Sequence, residues 1–83
     1  MKLHVLKIKE KFLWLICAGL KKAELRKDDR DYKIGDLIHF VDVRGNEFDM
    51  YDEKIFRITN ILRDAQEYGL QDGYAMLSIE EVK

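Results

Sequence analysis

Gly19-Leu20-Lys21-Lys22-Ala23-Glu24-Leu25-Arg26 marks the place where an apolar, helix-like segment gives way to a strand-like one. The stretch reads G-x-K-x-x-E-x-R. Upstream, residues 9–20 carry apolar side chains at helical spacing: Phe12, Leu13, Leu15, Ile16 and Leu20 share one arc of a helical wheel, while Lys11, Trp14 and Ala18 project from the opposite side. Gly19, lying inside the arc, is suited to closing the helix, because glycine enters the left-handed backbone region at little cost. Downstream, residues 21–27 alternate. The alternation predicts a strand with Ala23 and Leu25 toward the core and Lys22, Glu24 and Arg26 on the other face.

Working outward, Leu3 to Ile8 alternates loosely, with His4, Leu6 and Ile8 on one face, and is expected to be a first strand. Residues 28–32 form a polar loop, and Lys33-Ile34-Gly35-Asp36 is a turn. The turn launches Leu37-Ile38-His39-Phe40-Val41-Asp42-Val43, the clearest strand in the chain. Arg44-Gly45-Asn46-Glu47 has the composition of a hairpin tip. The acidic residues 48–53 fit either a short strand or an extended lid-like loop. Residues 54–63 carry apolar side chains on both faces, as expected of a strand crossing a small barrel. Residues 64–73 are a loop with room for one helical turn. Tyr74 to Ile79 is a last strand, followed by a charged tail. Five or six short strands around one main N-terminal helix predict an α+β domain with a curled or closed sheet, spanning residues 1–83 as a single unit.

Composition sets limits on the class. The hydrophobic fraction of 47% supports a folded core. Its single cysteine, Cys17, lies in an apolar segment and cannot form an internal disulfide, which points to a reducing, cytoplasmic setting. No apolar run approaches membrane-spanning length. Net charge is −1, but its distribution is uneven. Residues 1–27 hold eight Lys/Arg against two acids, and residues 28–53 hold three against nine. Either a basic and an acidic side result, or the two segments interleave and cancel.

The G-x-K-x-x-E-x-R segment after a strand and helix, followed by a Gly35-Asp36 strand entry, resembles the ASCH domain, a group allied to the PUA-like β-barrels. Glu24 to Tyr32, Ile34-Gly35-Asp36, Arg57 to Arg63 and Gly69 to Tyr74 further resemble a small ASCH-like family of bacteria and their phages. The resemblance implies a small PUA-like β-barrel with a cleft beside Lys21, and binding of RNA or a nucleotide. Some small relatives remove the acetyl group from acetylcytidine. The resemblance implies that they use the motif lysine, a nearby threonine and a later glutamate. Lys21 matches the lysine, Glu24 stands where the threonine would be, and no residue aligns with the later glutamate.

The candidate ligand-binding residues are Lys21, Glu24, Arg26, Arg30 and Tyr32. Lysine and arginine can hold a phosphate or a base edge, and glutamate can accept from an exocyclic amine. The same three charges also fit an internal ion-pair network. Arg30 and Tyr32 lie in the following loop, where Tyr32 either stacks on a base or packs on the sheet. Arg57, Thr59 and Arg63 would share one face of their strand. His4 and His39 are expected to be ordinary strand residues, and Trp14 half-buried packing. Asp49, Asp52 and Glu53 form a solvated acidic loop more readily than a cation site. No metal site or cofactor is expected. The leading expectation is a module binding a nucleotide or single-stranded RNA. The alternative is a metal-independent amidohydrolase using Lys21 and Glu24 on an acylated nucleoside such as acetylcytidine, and the third is a protein-interaction adaptor.

Overall fold

The alternation of Leu3–Ile8 makes it β1, with His4, Leu6 and Ile8 buried and the intervening residues exposed. Residues 1–43 and 54–83 are described by the computed structural model. Among these described residues, five strands and one helix follow in the order β1 (Leu3–Ile8), α1 (Glu10–Cys17), β2 (Ala23–Lys27), β3 (Leu37–Asp42), β4 (Ile55–Leu62) and β5 (Tyr74–Val82), with a 3-10 turn at Gln66–Tyr68 before β5. The sheet order is β1-β3-β4-β5-β2. The β1–β3 pair is parallel and the other neighbours are antiparallel. The result is a curled half-barrel of α+β class, with Leu13, Ile16 and Cys17 of α1 packed into the same core as the buried strand residues. The hairpin tip expected at residues 44–47, the strand-or-lid segment 47–53 and the acidic candidates Asp49, Asp52 and Glu53 lie outside the described residues.

The helix is shorter than its apolar arc. It buries Leu13, Ile16 and Cys17, whereas Leu20 lies beyond its end and is exposed. Gly19 (φ 80°) takes the left-handed conformation. Its N–H donates to Ile16 O and that of Leu20 to Leu15 O, the paired bonds of a Schellman closure. Ala18 N–H donates to Trp14 O, and Lys54 Nζ lies 3.4 Å from Cys17 O. The last four carbonyls of α1 thus all have donors.

Two elements depart from simple alternation. In β4 the register slips between Ile58, opposite Ile79, and Asn60, opposite Ser78. The inserted Thr59 is a bulge, and it changes which parity faces the core: Phe56 and Ile58 are buried before it, and Ile61 packs inward after it. The apolar residues on both faces of this run therefore have a register origin. The same slip breaks the expected row of Arg57, Thr59 and Arg63. Arg57 pairs with Glu80 at 3.6 Å, whereas Arg63 binds Asp28 and donates to Tyr32 O at 2.8 Å.

The second departure is β2. Glu24 faces inward at 7% exposure and Leu25 faces outward at 60%, the reverse of the expected orientation. Register explains it: Glu24 lies opposite the fully buried Leu77, and Leu25 lies opposite Met76. The cost of burying a carboxylate is offset by two cations, Lys21 Nζ at 2.6 Å and Arg26 at 3.1 Å.

His4 is more than an ordinary strand residue. Its Nε2 lies 2.8 Å from the buried Asp36 carboxylate, which also accepts the N–H groups of Lys2 and Lys33, each at 3.1 Å. Burial alone would raise the Asp36 carboxyl, but these hydrogen bonds outweigh it and hold it below the ordinary value of 3.8. An ionised carboxylate only accepts, so Nε2 of His4 carries the shared hydrogen. Tyr32 packs its ring on His4, with centroids 4.7 Å apart.

β1 and β2, the two outer strands of the sheet, approach each other across the open side. Arg26 on β2 donates to Lys7 O at 3.0 Å, and Arg30 donates to Val5 O at 3.1 Å. Two guanidinium groups thereby tie the outer edge of β1 to the β2 side. Among the described residues, no helix is long and apolar enough to cross a membrane.

Two outcomes follow from this framework. Asp36→Ala strands a buried imidazole and two backbone N–H groups, so denaturant unfolding should show a loss of about 3 kcal/mol. Because the folded carboxyl titrates below its unfolded value, its stabilisation is complete above about pH 4 and is lost as pH falls through the lowered folded value. Asp36→Asn should flatten that acid limb, and an unchanged limb would contradict the assignment. Arg26→Ala should cost about 1–3 kcal/mol and speed amide exchange in β1 and β2 more than in the central β4. Uniform acceleration across the sheet would argue against a seam held by this side chain.

Candidate functional site

The Schellman closure at Gly19 turns the chain sharply enough that Lys21 folds back beside the start of β2. Both Leu20 N–H and Lys21 N–H donate to Leu15 O, and Ile79 N–H donates to Lys22 O. The backbone of the segment is therefore anchored to the helix on one side and to β5 on the other. Lys21 Nζ donates to Ala23 O and to Glu24 Oε1, and Arg26 Nη1 donates to Glu24 Oε2. The motif closes into one network, Lys21–Glu24–Arg26, with the carboxylate at its centre.

Beside this network lies a cleft of about 520 Å³, lined by Phe12, Lys21, Ala23, Glu24, Leu25 and Met76. Its size and its apolar wall with a few convergent polar groups are those of a small-molecule site. Phe12 comes from α1, and Met76 comes from β5 opposite Leu25. Lys21 Nζ stands 5.8 Å from the Phe12 ring centroid, within cation–π range. The outward-facing Leu25 thus becomes one wall of the cleft.

Hydrogen-bond capacity remains at the polar end. A carboxylate offers about four acceptor positions, and among the described residues each oxygen of Glu24 receives one cationic donor. An ammonium has three donors, of which Lys21 spends two on Ala23 O and Glu24. The cleft consequently presents a charge-assisted acceptor next to a charge-assisted donor, both half-shielded by apolar surface.

The structure brings Lys21, Glu24 and Arg26 together, with the Tyr32 hydroxyl hydrogen-bonded to Arg26, but neither Tyr32 nor Arg30 lines the cleft. Arg26 stands behind Glu24, shared with Lys7 O, and does not line the cleft. Arg30 is spent on Val5 O at the seam. Tyr32 is 2% exposed and belongs to the core. Burial raises its phenol above the ordinary value of 10.0, against the opposing pull of the Arg26 guanidinium. Trp14 is 52% exposed on the far side of α1. Among the described residues, no group of three or more His, Cys, Asp or Glu side chains converges to hold a metal ion.

Phe12, Leu25 and Met76 were not among the sequence-based candidates. Phe12 sits on the apolar arc of α1 and is indistinguishable there from its buried neighbours. Met76 is fifty positions from Arg26, and its placement depends on the β2–β5 register. The Lys21-to-Glu24 spacing was the one local signal of the pair.

A search of curated proteins found no match. Among solved structures, the fold is similar to the crystal structure of hypothetical protein PH0355, at 20% identity and a TM-score of 0.66, covering 99% of this chain and 100% of that one. It is also similar to the solution structure of Protein PF0455 from Pyrococcus furiosus, at 20% identity and a TM-score of 0.54, covering 98% of each chain. At such identity the likeness concerns the fold alone. The family model described as "Domain of unknown function (DUF3850)" matches residues 3–79, and the chain belongs to that family.

Proposed function

We propose that the protein is a binding module for a nucleobase-bearing ligand, a nucleotide or a segment of single-stranded RNA, and that the base enters the cleft beside Lys21 and Glu24. The observation that carries this reading is the pairing of an apolar cleft of nucleobase scale with one anionic acceptor and one cationic donor at its polar end. A heterocycle presents two flat apolar faces and a polar edge. The faces meet Phe12, Leu25 and Met76, and the edge meets the charged pair. Glu24 accepts from an exocyclic amine, and Lys21 donates to a neighbouring ring nitrogen or carbonyl oxygen.

The resemblance of the G-x-K-x-x-E-x-R segment to ASCH domains supports the same site, and kinship with the PUA-like barrels is part of the proposal. A single cysteine, Cys17, buried and without a second cysteine to pair with, fits a reducing compartment such as the cytoplasm.

Binding is favoured over amide hydrolysis because the set of residues that the resemblance implies for deacetylation is incomplete here: Glu24 stands where the threonine would be, and no residue aligns with the later glutamate.

Cytidine and uridine test the reading directly, because uridine replaces the amine with a carbonyl that the carboxylate repels. Cytidine should bind at least about tenfold more tightly, a difference of about 1.4 kcal/mol, and Glu24→Gln should erase most of that preference. Lys21→Met should weaken cytidine binding by a similar factor in a fluorescence or calorimetric titration. Equal affinity for the two nucleosides, or none for either, would rule out the proposed contact. Turnover of acetylcytidine by the wild-type protein, abolished in Lys21→Met, would favour the hydrolase instead.

A further inference from the structure

Lys21 borders two clefts. The second, of about 420 Å³, is lined by Ile16, Gly19, Lys21, Lys22, Phe56, Ile79, Glu80, Glu81 and Lys83. Phe12 in the first cleft and Ile16 in the second are four residues apart on α1, hence one turn apart on the same side and separated by about 6 Å along the axis. The two clefts therefore follow one another along the helix with Lys21 between them. From this geometry we infer that the second cleft is a phosphate subsite, so that the ligand is phosphorylated and crosses Lys21 from base to phosphate. The inference rests on the nucleobase reading of the first cleft.

Charge pairing decides which sign the second cleft takes. It contains two glutamates and three lysines, but the partners are unevenly spread. Glu81 is held by Lys54 at 3.2 Å and Glu80 by Arg57 at 3.6 Å, both cations of the β4 side. Lys21 is held by Glu24. Lys22 and Lys83 make no ion pair with a carboxylate side chain among the described residues, so the cleft's own side chains, three lysines against two glutamates, carry a positive excess. The carbonyl end of α1 points the same way, and its dipole alone would oppose an anion. That opposition is blunted because the carbonyls of Trp14, Leu15, Ile16 and Cys17 already accept hydrogen bonds from the Gly19 closure and from Lys54.

The lysines are also positioned differently. Lys22 stands on backbone fixed by the Ile79 N–H to Lys22 O bond of 3.0 Å. Its side chain is exposed, so it can meet a phosphate without paying to leave a buried partner. Gly19, at φ 80°, lines the cleft with open space where a Cβ would be, so part of the wall is bare backbone. Ile16, Phe56 and Ile79 supply an apolar wall on which a sugar can rest.

The test compares cytidine with cytidine 5′-monophosphate and cytidine 3′-monophosphate at low salt, in wild type and in the double variant Lys22→Ala, Lys83→Ala. One monophosphate should bind about tenfold more tightly than cytidine, and which isomer does so reports the direction of the strand. The double variant should lose that gain while binding cytidine as wild type does. Cytidine binding with no gain from either phosphate overturns this inference and leaves the base cleft standing. Should cytidine itself fail to bind, pyrophosphate is the deciding probe: saturable amide shifts at residues 19–22 that vanish in the double variant support the phosphate subsite alone, and their absence overturns both.

Discussion

The Asp36 carboxylate is the point on which the fold is assembled. It accepts Lys2 N–H from the entry to β1, Lys33 N–H from its own turn, and His4 Nε2 from inside the barrel. Its backbone joins a third element, because Ile58 N–H donates to Asp36 O and Gly35 N–H donates to Ile58 O. A parallel pair such as β1–β3 has no hairpin to set its register. Here a single ionised side chain performs that task, fixing residue 2 beside residue 36 before the ladder from Leu3–Leu37 to Ile8–Asp42 begins. Gly35, at φ 95°, permits the tight turn that aims the carboxylate inward.

From this constraint the open side of the sheet follows. A five-stranded curled sheet must leave two outer strands, and unpaired backbone there invites association. In this protein the two edges face each other, and Arg26 and Arg30 bridge the gap to Lys7 O and Val5 O. Among the described residues, these side chains thereby do part of what strand pairing does in a closed barrel. The arrangement also explains why a strand with charged residues can face inward. Arg26 needs Glu24 as counter-ion while it reaches β1, and Glu24 needs Lys21 as its second cation. The network holding the seam and the network lining the cleft share the same carboxylate.

How far the sequence speaks for itself differs from element to element. The helix exit at Gly19 and the Gly35-Asp36 turn are local events with a backbone reason, so they are legible from a few residues. The strand Leu37–Asp42 and the α+β architecture are legible from periodicity. The phase of β2 is not, because alternation predicts only that odd and even residues part company, and the usual preference for apolar residues inside favours the wrong face. An ion-paired Glu24 overrides that preference. The Thr59 bulge is likewise silent in the sequence, since one inserted residue reads as a strand with two apolar faces. Tyr32 sits in a run of acids, and of its two readings the structure takes packing on the sheet, because His4 and Arg26, distant in sequence, give its ring and hydroxyl a buried place. The phase of β2 and the β4 bulge are long-range pairings that outweigh a local tendency.

The cleft itself is a product of that inversion. Had Leu25 faced the core as the pattern favours, its side chain would have joined Leu77 and the polar row would have lain on the outer surface in full contact with water. An exposed Lys–Glu–Arg row is weak, because screening and side-chain entropy cancel most of its attraction. With the phase reversed, the carboxylate is 7% exposed and its cations approach from defined directions, while Leu25 and Met76 form an apolar wall outside it. A charge-assisted contact made against such a wall competes less with water than one made on an open face. The reversal of one strand thus converts a surface ion-pair row into a shielded acceptor and donor, and the two helix turns beside it, at Phe12 and Ile16, give that pair a cleft on either side.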